Sequence, residues 1–118
     1  MLLQPGFKVL VVHRRLFEKD HERFFIGEVD GYEDGIIRVR GYTWLRDLFA
    51  GTFFRKRDER TKILSLASGT FLVYELPADL DVESAGIRFE GEDHVVLCDD
   101  KSFEMDLTEG RTYMPHRA

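Results

Sequence analysis

The stretch FFIGEVDGYEDGIIRVRGYT, residues Phe24–Thr43, decides the fold, because two runs of strand-favouring residues flank the turn Glu33-Asp34-Gly35. It predicts a β-hairpin, and turn length sets the register. A two-residue loop, Asp34-Gly35, would set Val29 opposite Arg40. A three-residue loop that includes Glu33 sets Val29 opposite Val39.

The three-residue loop gives the chemically consistent register. It pairs Asp30 with Arg38 and Glu28 with Arg40, and each opposite-charge pair across a ladder contributes roughly 0.2–1 kcal/mol. Gly35 then takes the position that needs a positive φ. One face of the hairpin is salt-paired. The apolar face consists of Val29, Ile37 and Val39.

Further strands are predicted on both sides of this hairpin. Phe7–Phe17 is dense in β-branched and aromatic residues, and Lys62–Ala67 and Thr70–Leu76 favour strands as well. Trp44–Gly51 has apolar residues at the spacing of a helical turn that ends at glycine, and the pattern leaves its state open. The predicted fold class is therefore all-β, a five-stranded, strongly bent barrel.

The segment Ile87–Leu107 predicts a second hairpin, with one apolar face. From Phe103 to Leu107 apolar residues alternate strictly with acidic ones. Because a lone hairpin is marginal in water, this face must dock on the barrel, on a partner or on a second copy of the chain. The predicted organisation is a single domain over 1–118, with a barrel (6–77), a connector (78–86), a C-terminal hairpin (87–109) and a loose tail (110–118).

Composition narrows the class of protein. A chain of 118 residues has the size of one domain, and its charge is uneven: residues 75–109 carry 2 Lys+Arg against 12 Asp+Glu. We interpret this acidic block mainly as a solvated face. The single Cys98 excludes an internal disulfide, Met1–Val12 has no signal-peptide pattern, and no apolar run reaches the ~18 residues of a membrane span. We therefore expect a soluble, cytoplasmic protein without a membrane partner.

The order of strands and glycines resembles the Sm-like fold, and a general SH3-like barrel fits nearly as well. The first Sm-like motif is similar to Lys8–Gly41, and the second to Ile63–Leu76 with Gly69. The apolar and glycine places of the first motif are filled by Phe25, Gly27, Val29, Ile37 and Val39. The resemblance covers about two-thirds of the chain and implies a small barrel that assembles through its edge strands.

The base-binding positions of the Sm-like family are not matched. The turn Glu33-Asp34-Gly35 lacks the family's usual Asn, and Ser68-Gly69 stands where an Arg-Gly would be. Without the Arg there is no phosphate partner or stacking plane, and without the Asn no bidentate contact to a base edge. The resemblance therefore implies architecture but not RNA binding.

Two surfaces are candidate binding sites. The first is a basic segment whose residue types suit single-stranded nucleic acid, although a solvated face is favoured over it and an acidic protein partner is a third option. It consists of Arg55, Lys56, Arg57, Arg60 and Lys62. The second is the apolar strand Thr70–Leu76, a poor edge to leave exposed. Its predicted oligomer contacts are Phe71, Val73 and Glu75.

No residue pattern indicates catalysis, a metal or a cofactor. The four histidines, His13, His21, His94 and His116, are scattered, and Cys98 ends an apolar strand, where we expect it to be buried and inert. The sequence thus predicts a non-enzymatic binding and assembly module that forms a homo-oligomer. The alternative is a protein that binds RNA or single-stranded nucleic acid through the basic segment, and an enzyme that uses the acidic block is the least favoured.

Overall fold

The computed structural model describes residues 3–14, 23–47, 49, 51–90, 94–101 and 103–107. This part of the chain is all-β, as predicted, and contains no helix. Its strands are β1 (Lys8–His13), β2 (Arg23–Glu33), β3 (Ile36–Asp47), β4 (Thr52–Arg55), β5 (Arg60–Ser65), β6 (Phe71–Glu75), β7 (Gly86–Glu90), β8 (His94–Cys98) and β9 (Glu104–Asp106).

The strands form two antiparallel sheets. In the first, the order is β4-β3-β2-β1-β6, and β5 also pairs with β3. β3 is long enough to hold both partners on one edge: its residues 36–41 pair with β5 and its residues 44–47 with β4. The second sheet has the order β7-β8-β9.

The register of the β2–β3 hairpin is confirmed, but its predicted loop is wrong. Val29 pairs with Val39, as expected. The loop has two residues, Asp34 and Gly35, with φ angles of 50° and 80°. A register shift between Val29 and Gly31 leaves Asp30 as the extra residue of a bulge. The bulge therefore supplies the offset that we attributed to a three-residue loop.

The charge pairs of this hairpin are kept in part. Arg38 Nε donates a hydrogen bond to Asp30 Oδ2 at 3.1 Å, as predicted. Glu28 lies opposite Arg40 in the ladder, but the ion pair that Arg40 makes is to Glu59, at 3.8 Å. Arg40 thus ties the hairpin to the segment between β4 and β5.

Two glycines face each other across β2 and β3. Gly27 pairs with Gly41, and a Cβ atom on Gly41 would lie 2.0 Å from the Ile26 carbonyl oxygen. A Cβ on Gly27 would lie 2.6 Å from the Arg40 carbonyl oxygen. No larger residue fits at either position without moving the backbone.

The first sheet is buried on both faces over part of its area. One face encloses a core of Val9, Val11, Phe25, Val29, Ile37, Val39 and Leu64. The opposite face packs against the second sheet in a core of Leu10, Phe24, Ile26, Phe53, Leu76, Leu80, Ala85, Ile87, Val95 and Leu97. β1 supplies both cores, which explains why three successive residues, 9–11, are fully buried.

The C-terminal segment docks on the first sheet of its own chain. It is a three-stranded sheet rather than the predicted hairpin, with Val95 and Leu97 fully buried and Phe103 and Met105 packed beside them. Of the docking places left open by the sequence, it takes the one within its own chain, the first sheet. The apolar stripe is therefore satisfied without a partner.

Several other expectations are corrected. Trp44–Asp47 belongs to β3 and is not a helical turn, because these residues continue to pair with β4. β1 begins at Lys8 and ends at His13, and the predicted continuation over 15–17 lies outside the described residues, as does the tail 110–118. The strands in the described part show no β5–β6 ladder that would close a barrel.

Candidate functional site

The basic segment contains a bulge between β4 and β5, two strands that pair with the same edge of β3. It does not form the loop of a hairpin. β4 and β5 both run antiparallel to β3, with Arg55 opposite Trp44 and Arg60 opposite Gly41. Two residues of β3, 42 and 43, therefore face the four residues 56–59. The Lys56 amide donates to the Thr43 carbonyl at 2.9 Å, so the surplus residues are pushed out of the sheet immediately after it.

A cavity of about 340 Å³ lies beside this bulge. β2, β3, β5 and the bulge all contribute side chains to it. They are Arg23, Thr43, Leu45, Lys56, Arg57, Asp58, Arg60, Thr61 and Lys62. Four of the five predicted basic residues thus come together in three dimensions.

Arg23 is the cation of the cavity lining that the sequence analysis did not single out. It is the first residue of β2 and pairs with Leu45, which also lines the cavity. The predicted hairpin register, extended by two pairs, would have indicated this position. The signal was hidden because Trp44–Gly51 was not assigned to a strand.

Arg55 is the predicted basic residue that does not line the cavity. Its guanidinium carbon lies 4.2 Å from the centre of the Tyr42 ring, and its Nη1 lies 3.7 Å from Glu83 Oε2. A hydrogen bond with Glu83 also raises the pKa of Tyr42. Arg55 therefore joins β3 and β4 to the connector and has a structural role.

The cavity lining has five cationic side chains and one carboxylate. Asp58 Oδ2 lies 3.7 Å from Arg60 Nη2, in an ion pair whose two side chains are well exposed. Among the described residues, no carboxylate lies within ion-pair distance of the remaining four cations, which are Arg23, Lys56, Arg57 and Lys62. Positive charge is thus concentrated here without internal compensation.

The pKa values of Lys62 and His13 are both lowered beside this cluster of cations. Burial lowers the pKa of Lys62, and the charges of Arg23, Lys56 and Arg60 lower it further. Its Nζ lies 4.7 Å from the centre of the Phe25 ring, an attractive cation–π contact. On β1, burial lowers the pKa of His13, followed by the charges of Lys62 and Arg23.

The second predicted site, the edge of β6, is open among the described strands. Among the described strands, β6 pairs with β1. Arg14 N donates to Thr70 O and Leu76 N donates to Lys8 O, so Thr70 and Leu76 belong to the set of β6 residues that bond to β1. By strict alternation, every second residue turns its N–H and C=O away from β1. These residues are Phe71, Val73 and Glu75.

The outer face of the second sheet is internally paired. Arg88 Nη2 lies 3.0 Å from Glu90 Oε2 and 3.4 Å from Glu104 Oε2, and its Nη1 donates to Cys98 Sγ at 2.6 Å. Cys98 is therefore half-buried beside a cation, whereas we expected it to be buried. His94 Nδ1 lies 3.2 Å from Asp106 Oδ2.

Nothing in the described residues indicates a metal centre. No three His, Cys, Asp or Glu side chains in this part of the chain are arranged to hold an ion. Two of the four histidines that the sequence analysis considered, His21 and His116, lie outside the described residues. The described residues also include no helix of the length and apolarity needed to cross a membrane.

Comparison of the chain with protein-family models, with curated proteins and with solved structures finds no match. The resemblance to the Sm-like fold therefore stays a prediction. The functional argument depends on the geometry of the two surfaces described above, the cationic cavity and the edge of β6.

Proposed function

We propose that the protein is a non-enzymatic binding and assembly module that pairs with a second copy of itself along β6. The observation that carries this proposal is the open edge of β6, which the second sheet leaves uncovered because it packs on a face of the first sheet. A strand edge with unpaired N–H and C=O groups is a template for another strand.

The composition of the β6 edge supports pairing rather than protection. Leu72 is 44% exposed, Glu75 is the only charged residue of the strand, and no proline interrupts it. On β9, by contrast, both residues next to Met105 are acidic, a common device that keeps other strands away. The first sheet therefore has the edge that suits assembly.

A two-fold axis at Val73 satisfies both backbone and side chains. Antiparallel pairing of β6 with its copy sets Val73 opposite Val73, and Phe71 opposite Glu75 of the second copy. All these residues turn their free backbone groups to the edge. On the other face, exposed Leu72 then lies opposite Tyr74 of the second copy. Such an isologous interface closes as a dimer.

Nucleic-acid binding is the second candidate, favoured by the cluster of cations at the cavity. Phosphate contacts need such cations, but single-stranded nucleic acid also needs aromatic side chains on which bases stack. Among the described residues, no aromatic side chain lines the cavity, and the nearby Tyr42 ring is covered by Arg55. Assembly therefore stays the first proposal.

We keep the cytoplasm as the expected location, because the chain has one cysteine.

The test is the solution mass by light scattering from micromolar to hundred-micromolar protein. We expect the wild type to approach twice 13.8 kDa as concentration rises. Leu72→Lys puts a charge on the edge and should keep the chain monomeric. Ile36→Lys is the matched control, because Ile36 has a similar exposure, 46%, but lies on a strand with partners on both sides.

A second variant tests the backbone. Val73→Pro removes one donor from the edge without removing a bond to β1, so it should also weaken the dimer. A wild-type mass of 13.8 kDa across the whole range would overturn the proposal. Equal dissociation by the Leu72 and Ile36 variants would show that β6 is not the contact.

A further inference from the structure

We infer that the cavity between β2, β3 and the bulge 56–59 binds the phosphate chain of a small polyphosphate. Two sources share this chemistry: an inorganic polyphosphate and a nucleoside triphosphate. The inference is separate from the proposed assembly, because the cavity and the edge of β6 are formed by different strands.

The first argument is the charge of the lining. Four cations have no carboxylate partner among the described residues, and the one acidic residue of the cavity, Asp58, is already next to Arg60. Clustered like charges oppose folding, and an anion that enters the cavity removes this cost. Burial lowers the pKa of Lys62 most, and the charges of Arg23, Lys56 and Arg60 lower it further.

The second argument is the geometry of the donors. Arg23 and Arg57 present planar guanidinium groups that bind phosphate oxygens in pairs, while Lys56 and Lys62 add compact charges. Thr61 also lines the cavity. These donors come from two strands and the bulge, so three segments of the chain contribute to one site.

The third argument selects the size and class of ligand. A volume of about 340 Å³ is near the lower end of ordinary ligand pockets, but the lining is cationic where such pockets are mainly apolar. A single phosphate carries a charge of only about −1.5 to −2 at pH 7 and would leave cations unpaired. A short chain of phosphates matches the charge within the same volume.

The fourth argument separates this ligand from single-stranded RNA. The described residues of the cavity lining include no ring on which a base could stack. Phosphate groups are therefore the part of a ligand that this site recognises, and a nucleoside attached to them would project from the cavity.

The experiment is a calorimetric titration of the full chain at about 150 mM salt, where long-range attraction is screened. The probes are sodium tripolyphosphate, ATP, adenosine, sulfate and a short single-stranded RNA. We expect tripolyphosphate to bind one site per chain and ATP to bind comparably, while adenosine and sulfate do not bind. If ATP binds much more tightly than tripolyphosphate, a nucleoside triphosphate is the natural source.

Variants locate the site. Arg57→Gln and Arg23→Gln change exposed side chains, so they should fold normally and weaken tripolyphosphate binding by about tenfold each, as expected for one lost charge-assisted contact. Arg38→Gln is the matched control. It removes the same charge from the same sheet, but Arg38 pairs with Asp30, and we expect binding within about twofold of wild type.

Three outcomes would overturn the inference. Binding of RNA without binding of tripolyphosphate would assign the cations to nucleic acid. Equal weakening by Arg38→Gln and Arg57→Gln would mean a diffuse charge effect with no site. Competition by sulfate at equal concentration would mean that any anion suffices.

Discussion

The two sheets differ in how far their groups find partners within the chain. In the second sheet, Arg88 contacts Glu90, Glu104 and Cys98, and the apolar face is buried on the first sheet. In the described part of the first sheet, four cavity cations lack carboxylate partners, and β6 pairs with one neighbouring strand, β1. The difference indicates that ligands and partners are to be sought on the first sheet.

This comparison also refines an inference from net charge. On sequence alone, the acidic block, residues 75–109, is interpreted mainly as a solvated face. The block also supplies carboxylates to its own Arg88 and, through Glu83, to Arg55 of the first sheet. Among the described residues, the cluster of cations without an ion-pair partner lies in the first sheet, outside the acidic block.

The largest expected effect tests the buried core of the first sheet, in contrast to the groups on its surface that lack partners among the described residues. Val39→Asp buries a carboxylate at a fully buried position and should lower the free energy of unfolding by several kcal/mol. Arg38→Ser removes an exposed ion pair worth roughly 0–1 kcal/mol. Urea denaturation measures both. Similar, small shifts of the two midpoints would mean that the hairpin register is wrong.

A smaller effect compares a cavity cation with the paired Arg88. Lys62→Gln keeps much of the side-chain stem and relieves repulsion from Arg23, Lys56 and Arg60, so the denaturation midpoint should rise at low salt. Arg88→Gln removes a cation from two carboxylates, so the midpoint should fall. Salt should reduce both shifts. Shifts of the same sign would contradict the contrast between the sheets.

The smallest effect is the pH dependence contributed by His13. Its folded-state pKa lies below the ordinary 6.5, so the unfolded chain binds more protons below that value. The stability is therefore present above pH 6.5 and lost as pH falls through the lowered folded pKa. We expect His13→Gln to flatten this loss between about pH 7 and pH 5 in urea unfolding. An unchanged slope would mean that neither burial nor the cavity charges lower the pKa of His13.

The same histidine gives a finer test. Lys62→Gln removes one of the charges that lower the pKa of His13, so that pKa should move back towards 6.5. Bound tripolyphosphate should act in the same direction. An NMR titration of the histidine ring protons, assigned with His13→Gln, measures the shift. A further fall of this pKa on either change would contradict the electrostatic account.

Much of the first sheet follows from local sequence, because alternation and turn chemistry act over a few residues. The Val29–Val39 register was predictable, since only that offset matches both the apolar and the charged residues. The bulge at Asp30 was not. A two-residue loop plus a bulge gives the same offset as a three-residue loop, so the pattern alone cannot separate them.

The cavity and the docked sheet depend on contacts that are distant in the chain. Arg23 and Arg57 line the same cavity because β3 continues through Trp44–Asp47 and pairs with β2 on one side and β4 on the other. The apolar stripe of the second sheet indicated that it must dock, but periodicity contains no information on which surface receives it. The first sheet could receive it because β1 and β2 are apolar on both faces.

Amide hydrogen exchange tests the central claim most directly, because it reports on each sheet edge separately. In the proposed dimer, the amides of Phe71, Val73 and Glu75 become hydrogen-bonded to the second copy. Their protection should rise with protein concentration, while that of Glu104 and Asp106 on β9 stays constant. Concentration-dependent protection on β9, or none on β6, would contradict the account.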